Sequence, residues 1–596
     1  MIHSARLAIV IMLIAGQAVA ADLSPAKWPP KLRAAVERRE AATFPASTRT
    51  VQGSVLVTGT LSPLAVHAGI EALRQGGTAA DAAATVELTQ VATDFGAVVS
   101  YAGVSQLLYF EARTRKVYGL DAGWGSYRGE TDPASIPVAD VTLSPGRPAP
   151  TDGAQGRKTL VPGFMAGVEA LHARFGRLPF SDLFQPAIWY AENGVAVSPL
   201  LATYFQLQQQ RLWRTPEGHR FASLPDGQLP KAGDRLAQPD LAKTLRHVAA
   251  EGAGYMYRGG WAQAYVAAIR AEGGAAKLDD LARYKAEWRN PVSLRFYGAE
   301  VYGPGEDSDH TCPSLEALNL LSGLKIESMG PYWTDAHAFA AYSRVLRFAT
   351  LGRFLPQIAA AERAIGPGDD CKVRLTPAYA AAIAPQIPSL LGASAAGGES
   401  GHHSDSVVVV DRWGNVAVLV HSINAVVWGD TGIVVGGVPI PDSASINKAR
   451  LVATKPGERL GGDMTPLLAL RGGRPVLAVA TIGSSLHQEN VRLVAGLLAQ
   501  GLDLRALLSA PPLLLDTQPP AAGQTLVGMP TPVPAGRYDA TMLQALEAAG
   551  VAVREEPLPT VRALRGTAVV AVIDGGAHSA RTIEVPDVVG FAEAIP

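Results

Sequence analysis

Two hydrophobic spacings alternate along this chain, and each switch between them marks an element. Gly53 to Thr58 is a short apolar run and predicts a strand, while Pro63 to Gly76 places Leu64, Ala68, Ile70 and Leu73 at helical spacing and stops at Gly76-Gly77. Ala79 to Val91 predicts a second helix, so rich in alanine that it can pack closely on its neighbours. Gln106 to Phe110 and Val117 to Leu120 predict paired strands around the charged turn Glu111 to Lys116. From Gly163 to about Leu355 the spacing is mainly helical, most clearly over Ala166 to Phe175, Leu183 to Asn193 and Trp261 to Ala271. Strands return at Val407 to Asp411, Val416 to His421, Leu467 to Leu470 and Val476 to Ala480, followed by a helix from Asn490 to Gln500. Pro511 to Pro534, rich in Pro and Gly, predicts loop; a helix at Ala540 to Ala549 and a strand at Ala568 to Ile573 close the pattern.

Composition narrows the class. With 596 residues, 48% apolar and 18% charged, the chain can bury one large core or fold as two to three domain-sized units. Its 52 basic and 53 acidic residues give a net charge of -1, which offers no electrostatic footprint for nucleic acid or anionic lipid. A small molecule or short peptide is the expected substrate. At the N-terminus, Arg6, the apolar run Leu7 to Ala15 and Ala18-Val19-Ala20 before Ala21-Asp22 match an export signal. Residues 1 to 20 are expected to be removed, leaving a periplasmic or secreted protein, with an uncleaved N-terminal anchor as the alternative. No other segment reaches transmembrane length, so stable membrane insertion is not expected. Export permits a disulfide, and the two cysteines, Cys312 and Cys371, form either one bridge or two buried thiols.

The candidate chemistry gathers where a flexible small-residue run, Leu391 to Ser400, meets Gly401-His402-His403-Ser404-Asp405-Ser406 and the apolar strand that follows. A linker, a hydroxyl and a buried strand form the layout of an N-terminal-nucleophile hydrolase, in which a cut before Ser404 frees an α-amine. A free alcohol is a poor nucleophile at neutral pH, and that amine would be its base at negligible distance. On a strand Ser404 and Ser406 share one face and Asp405 takes the other. His421-Ser422-Ile423-Asn424 and Thr481-Ile482-Gly483-Ser484-Ser485 follow two further apolar strands. If those strands lie side by side, Ser422 can bond the nucleophile while amides at Gly483 and Ser484 face the oxyanion. Each segment also suits an ordinary strand-to-loop turn. His402 and His403 point apart as neighbours and lack a carboxylate cluster, so no metal or cofactor is expected. A Gly-x-Ser-x-Gly elbow is absent.

The ordered segments resemble the γ-glutamyltransferase (γ-glutamyltranspeptidase) family over most of the mature chain. Gly69, Leu73 and Gly76 to Ala83 are similar to its Ala-Gly…Leu…Gly-Gly-Asn-Ala-Val-Asp-Ala-Ala element. Val161 to Gly167, Phe175 to Pro179 and Gln185 to Ala187 resemble its Val-Pro-Gly-x-x-Ala-Gly, Tyr-Gly-x-Leu-Pro and Pro-Ala run. Counting back from Asp411-Arg412-Trp413-Gly414-Asn415 puts Ser404 on the threonine before which the family cuts itself. By the same resemblance Ser422 falls on the threonine that supports the nucleophile, and Asn424 on the asparagine that holds the substrate's α-amino group. Met464-Thr465-Pro466 resembles its Ser-Ser-Met-Ser-Pro stretch, with Gly462 and Asp463 in place of the two serines, and Gly483-Ser484 falls on its oxyanion-hole Gly-Gly.

The chain departs from the family at Leu120-Asp121-Ala122-Gly123-Trp124, where Gly123 and Trp124 stand in place of an arginine and glutamate that grip the glutamyl α-carboxylate. Losing that guanidinium removes roughly 1.5 to 3 kcal/mol of charge-assisted bonding. Arg128, nearby in sequence, is not expected to replace it, and Trp124 is expected to favour an apolar or aromatic acyl group. The resemblance implies an α+β, four-layer αββα sandwich, with residues 21 to 403 as a large segment and 404 to 596 as a small one intertwined with it. The implied activity is an amidohydrolase or acyltransferase acting through an acyl-Ser404 on γ-glutamyl or related amides. The rival readings are an uncleaved binding or structural protein and an acylase for a non-glutamyl amide.

Overall fold

The computed structural model describes residues 20–42, 44–140, 148–150, 153–305, 311–351, 356–366, 370–392, 404–462, 464–515, 525–575 and 578–596. Nearly all of the expected export segment, the linker from 393 to 400, His402, His403 and Asp463 lie outside them. In chain order the main strands are β1 (Arg49–Gly53), β2 (Val55–Gly59), β3 (Val104–Glu111), β4 (Lys116–Ala122), β5 (Glu287–Arg289), β6 (Val292–Phe296) and β7 (Ala299–Gly303). Beyond the linker come β8 (Ser404–Val410), β9 (Val416–Ser422), β10 (Leu467–Arg471), β11 (Arg474–Ile482), β12 (Thr567–Asp574), β13 (Ser579–Glu584) and β14 (Phe591–Ile595).

These strands form two seven-stranded sheets, ordered β14-β2-β8-β9-β3-β4-β5 and β1-β13-β12-β11-β10-β7-β6. All neighbours within them are antiparallel. Each sheet takes strands from both sides of residue 404, so a cut there would leave both halves stitched together by ladder hydrogen bonds.

The period of two along each strand explains its packing. Val408, Val410, Val416, Val418 and Val420 share a buried cluster with Leu468, Leu470, Ala478, Ala480, Val569 and Ala571 of the other sheet. The alternate residues Val407, Val409, Ala417 and Leu419 pack instead with Ala80, Ala83, Val86, Phe164 and Val168 of helices. On the second sheet, Leu467, Ala469, Leu477, Val479 and Val570 pack with Leu315, Leu318, Val345, Val491 and Val494. Both faces of β8 and β9 are therefore dry, which is why they read as nearly unbroken apolar runs. Each buried Val or Leu side chain contributes roughly 1.5–3 kcal/mol.

The helix Ala79–Thr93 starts at a capping box in which Thr78 and Asp81 satisfy each other's backbone, and all of its residues are buried. Its small side chains let it approach closely. A Cβ on Gly69 of the helix Pro63–Arg74 would fall 2.5 Å from Val86 Cγ2, so only glycine fits that crossing.

Three expectations require correction. The stretch Gly163 to Leu355 is not helix alone, because β5, β6 and β7 lie within it and complete both sheets. Val292, Leu294 and Phe296 alternate with more exposed residues, and Tyr297 and Gly298 turn the hairpin at φ 45 and 74, as a two-residue I′ turn requires. The segment expected as loop ends in a strand, Thr531–Pro534, which pairs in parallel with Val553–Glu556. Finally, β13 and β14 close the chain, where only β12 was expected. Cys312 and Cys371 are bridged, with Cα atoms 5.8 Å apart. Among the described residues, no helix is long and apolar enough to cross a membrane.

Candidate active site

Ser404 is the first residue of β8 and Ser422 the last of β9, and the register sets them directly opposite each other. Ser404 Oγ donates to Ser422 Oγ at 2.8 Å. Ser422 Oγ also accepts the Asn424 backbone N–H at 2.9 Å. This second bond is local: Asn424 turns away from the strand in the left-handed region, at φ 47, where asparagine is tolerated better than most residues. Ser404 and Ser422 are both buried, and alternation places them, with Ser406, on the face between the sheets.

Asp405 and its cross-strand partner His421 occupy the opposite, helix-covered face. Asp405 Oδ1 accepts Thr60 Oγ1 at 3.0 Å, and Thr60 Oγ1 accepts the Ser406 N–H at 2.8 Å. Gln90 donates to the Thr60 carbonyl at 2.8 Å and lies 2.9 Å from His421 Nε2 through its own carbonyl oxygen, which requires the histidine proton on Nε2. Burial lowers the His421 pKa to about 3 and raises the Asp405 carboxyl well above its ordinary value, with nearby Asp94 adding to the rise. His421 is therefore neutral around pH 7, and the buried site favours the protonated form of Asp405. They brace β8 from behind, and neither reaches the hydroxyl pair's face.

Beside the pair, Trp124 Nε1 donates to Asn424 Oδ1 at 2.8 Å. The indole is buried against Val104, Leu460 and Met464, so it is part of the wall and bonded to Asn424 rather than an open aromatic surface. The Gly123 N–H donates to Asp121 Oδ1 at 2.9 Å, and the Gly123 carbonyl accepts the Tyr284 hydroxyl at 2.5 Å. Arg128 is paired with Asp279 and Asp280 at 2.5 and 3.0 Å.

Sequence reading missed Arg459. Its guanidinium pairs with Asp121 Oδ1 at 2.9 Å, donates to the Lys285 carbonyl at 2.7 Å and sits 5.2 Å from the Tyr284 ring centre. Burial raises the Asp121 pKa, and Arg459 opposes that rise. A Cβ on Gly123 would lie 3.7 Å from this guanidinium. Nothing in the spacing of residues 121 and 459 announces the pair, which only the fold brings together.

Gln106 was missed for the same reason. Its Oε1 accepts the Met464 N–H at 2.8 Å, and its Nε2 lies 1.3 Å from where a Cβ of Gly462 would sit. The glutamine thus fills space that any side chain at 462 would claim. Thr465 is held through its carbonyl, which accepts Asn490 Nδ2 at 2.8 Å. Gly483 and Ser484 follow β11, with Gly483 at φ 86 and packed on Gly566. Here the side-by-side arrangement is corrected: β9 and β11 belong to different sheets and meet face to face. Among the described residues, no group of three His, Cys, Asp or Glu side chains is placed to hold a metal ion.

A hydroxyl leading a central antiparallel strand, bonded to a second hydroxyl across the ladder, fits the layout expected of the N-terminal-nucleophile hydrolase class. The chain belongs to the γ-glutamyltranspeptidase family, whose sequence model matches residues 65–578. It is 29% identical over 494 residues to the Acylase ACY 1 proenzyme of Pseudomonas sp. (strain SE83), covering 79% of this chain and 84% of that protein. It is 28% identical over 450 residues to the glutathione hydrolase proenzyme of Pseudomonas aeruginosa, covering 69% of this chain and 74% of that one. The fold is similar to a crystal structure of cephalosporin acylase from Bacillus halodurans, with TM-score 0.74 and 22% identity over 93% of this chain and 98% of that chain. An enzyme of the amidohydrolase and acyltransferase type follows from this membership.

Proposed function

We propose that this protein is an exported amidohydrolase or acyltransferase, folded as a four-layer αββα sandwich, that cleaves itself before Ser404 and works through an acyl-Ser404. The observation carrying this reading is the 2.8 Å bond from Ser404 Oγ, at the first residue of β8, to Ser422 Oγ. In maturation, Ser404 Oγ attacks the carbonyl carbon of residue 403, the peptide becomes an ester, and water hydrolyses it. The large segment then ends in a carboxylate and Ser404 carries a free α-amine.

That amine, with an ordinary pKa near 8, takes the Oγ proton as Oγ attacks a substrate amide. The amine leaving group departs with a proton, and water or a second amine then releases the acyl group. Ser422 orients the nucleophile, Asn424 contacts the acyl group, and the amides of Gly483 and Ser484 stabilise the oxyanion. Gly123, Trp124, Met464 and Thr465 shape the acyl pocket. Residues 21–403 and 404–596 stay associated through their shared sheets.

A non-glutamyl amide is the better-supported substrate within this reading, because the two arginines considered for the lost one's place are engaged: Arg128 with Asp279 and Asp280, and Arg459 with Asp121. Denaturing gels of purified protein should show fragments of about 40 and 20 kDa, in proportion to 62.3 kDa over 596 residues, with the smaller beginning at Ser404. A single chain stable on long incubation and indistinguishable from Ser404→Ala would leave the uncleaved binding protein as the answer.

A further inference from the structure

The bond between Trp124 and Asn424 has a polarity that ordinary amide ambiguity cannot reverse. An indole N–H only donates, so the Asn424 atom 2.8 Å from it must be the carbonyl oxygen. Turning the carboxamide over would set Nδ2 against Nε1, two donors facing each other in a buried site. The arrangement is also held in place. Asn424 has its backbone N–H on Ser422 Oγ at 2.9 Å, Trp124 accepts the Leu460 N–H at 2.9 Å through its carbonyl, and the two side chains are 3% and 2% exposed. Asn424 Nδ2, by contrast, makes no hydrogen bond among the described residues. The end of the amide left for a ligand is therefore its donor end, two residues from the hydroxyl that holds the Ser404 side chain.

We propose that Trp124 is a positioning residue that fixes Asn424 as a hydrogen-bond donor to the acyl group, so that the enzyme takes acyl groups presenting a carbonyl or carboxylate oxygen there and rejects those presenting an ammonium. An ammonium has only donors to offer and would meet N–H groups. Turning the amide so that its oxygen replaced Nδ2 there would strand the buried indole N–H. A site built around a fixed donor discriminates strongly, because the wrong partner leaves buried polar groups unpaired. This inference rests on the acyl-Ser404 reading for its place in catalysis, but the polarity can be measured without turnover.

Glutarate and L-glutamate make a matched pair, since they differ by a single α-amine, as do N-glutaryl and γ-glutamyl p-nitroanilide. Calorimetric titration of the Ser404→Ala protein should show glutarate binding at least about tenfold tighter than L-glutamate, a difference on the scale of one hydrogen bond to a charged group. Mature enzyme should show the same preference in kcat/KM, carried mainly by KM. Trp124→Phe, which keeps an aromatic ring and deletes the donor, should narrow the preference by a similar factor. Asn424→Asp keeps an acceptor for the indole and replaces Nδ2 with oxygen, so it should invert the preference. Binding of neither acid, equal or tighter binding of L-glutamate, or a preference unchanged in both folded variants would overturn the proposal. Loss of self-cleavage with the glutarate preference intact would instead reject the catalytic reading and leave the polarity standing.

Discussion

Replacing Ser422 with alanine removes one oxygen that serves two buried donors. The Ser404 hydroxyl loses its acceptor at 2.8 Å and the Asn424 N–H loses its acceptor at 2.9 Å. A net hydrogen bond contributes about 1 kcal/mol, and leaving a buried donor unpaired raises the cost to about 1–3 kcal/mol. Asn424 is 3% exposed and falls under the higher figure, whereas Ser404, at 7%, can turn its hydroxyl toward water more easily. Stability should therefore drop by about 2–4 kcal/mol in total. The part that bears on the reaction is the misplacement of Ser404 Oγ, about 1.4–2.8 kcal/mol of barrier, or roughly 10- to 100-fold in rate. The assay is the first-order disappearance of the uncleaved chain on denaturing gels, followed from the moment of purification. Ser422→Thr, which keeps the hydroxyl, should mature within a few-fold of wild type. If Ser422→Ala matured as fast as wild type, the hydroxyl pair would be a packing feature and the orienting role would be refuted.

Titration of the buried groups gives a second prediction with opposed slopes. Burial raises Glu40 and Glu87 to about 8 and Asp94 to about 7, so the folded state holds protons that the unfolded state releases, and stability falls as pH rises from about 4.5 through 8. Burial lowers His421 from 6.5 to about 3, so its contribution is complete above 6.5 and is lost as pH falls toward 3. Urea midpoints across pH should show Glu40→Gln flattening the alkaline limb and His421→Gln the acid limb, each by at most about 1.4 kcal/mol per pH unit. Reducing the Cys312–Cys371 bridge, which spans 59 residues, should cost up to about 4 kcal/mol by the chain-entropy relation, read as a lower urea midpoint under reductant. Gly462→Ala should destabilise by about 1–3 kcal/mol, because its Cβ displaces Gln106 and breaks the bond to the Met464 N–H. Adding Gln106→Ala should recover part of that loss in a double-mutant cycle.

The strands that carry the candidate nucleophile were legible because their apolar residues are local and continuous. Val407 to Asp411 and Val416 to His421 appear in the structure with their ends shifted by a few residues. The face shared by Ser404 and Ser406, and the opposite face of Asp405, follow from a period of two and needed no tertiary information. The hairpin at Tyr297-Gly298 was also written in the chain, in the alternation of Val292, Leu294 and Phe296, but a helical neighbourhood hid it. The pairing of β14 with β2 was not legible, since Phe591 to Ile595 forms the sheet edge by joining a strand more than 500 residues away.

What the sequence determined by itself was the pair of apolar strands that carry the candidate hydroxyls, the hydroxyls at their ends and the family the chain belongs to, because those depend on neighbours a few residues apart. Tertiary structure alone decided that β9 and β11 stack rather than pair, that Arg459 is held by Asp121, that Gln106 fills the space beside Gly462, and that Trp124 caps the oxygen of Asn424. Each joins segments separated by scores to hundreds of residues, and packing, not local propensity, selects such contacts.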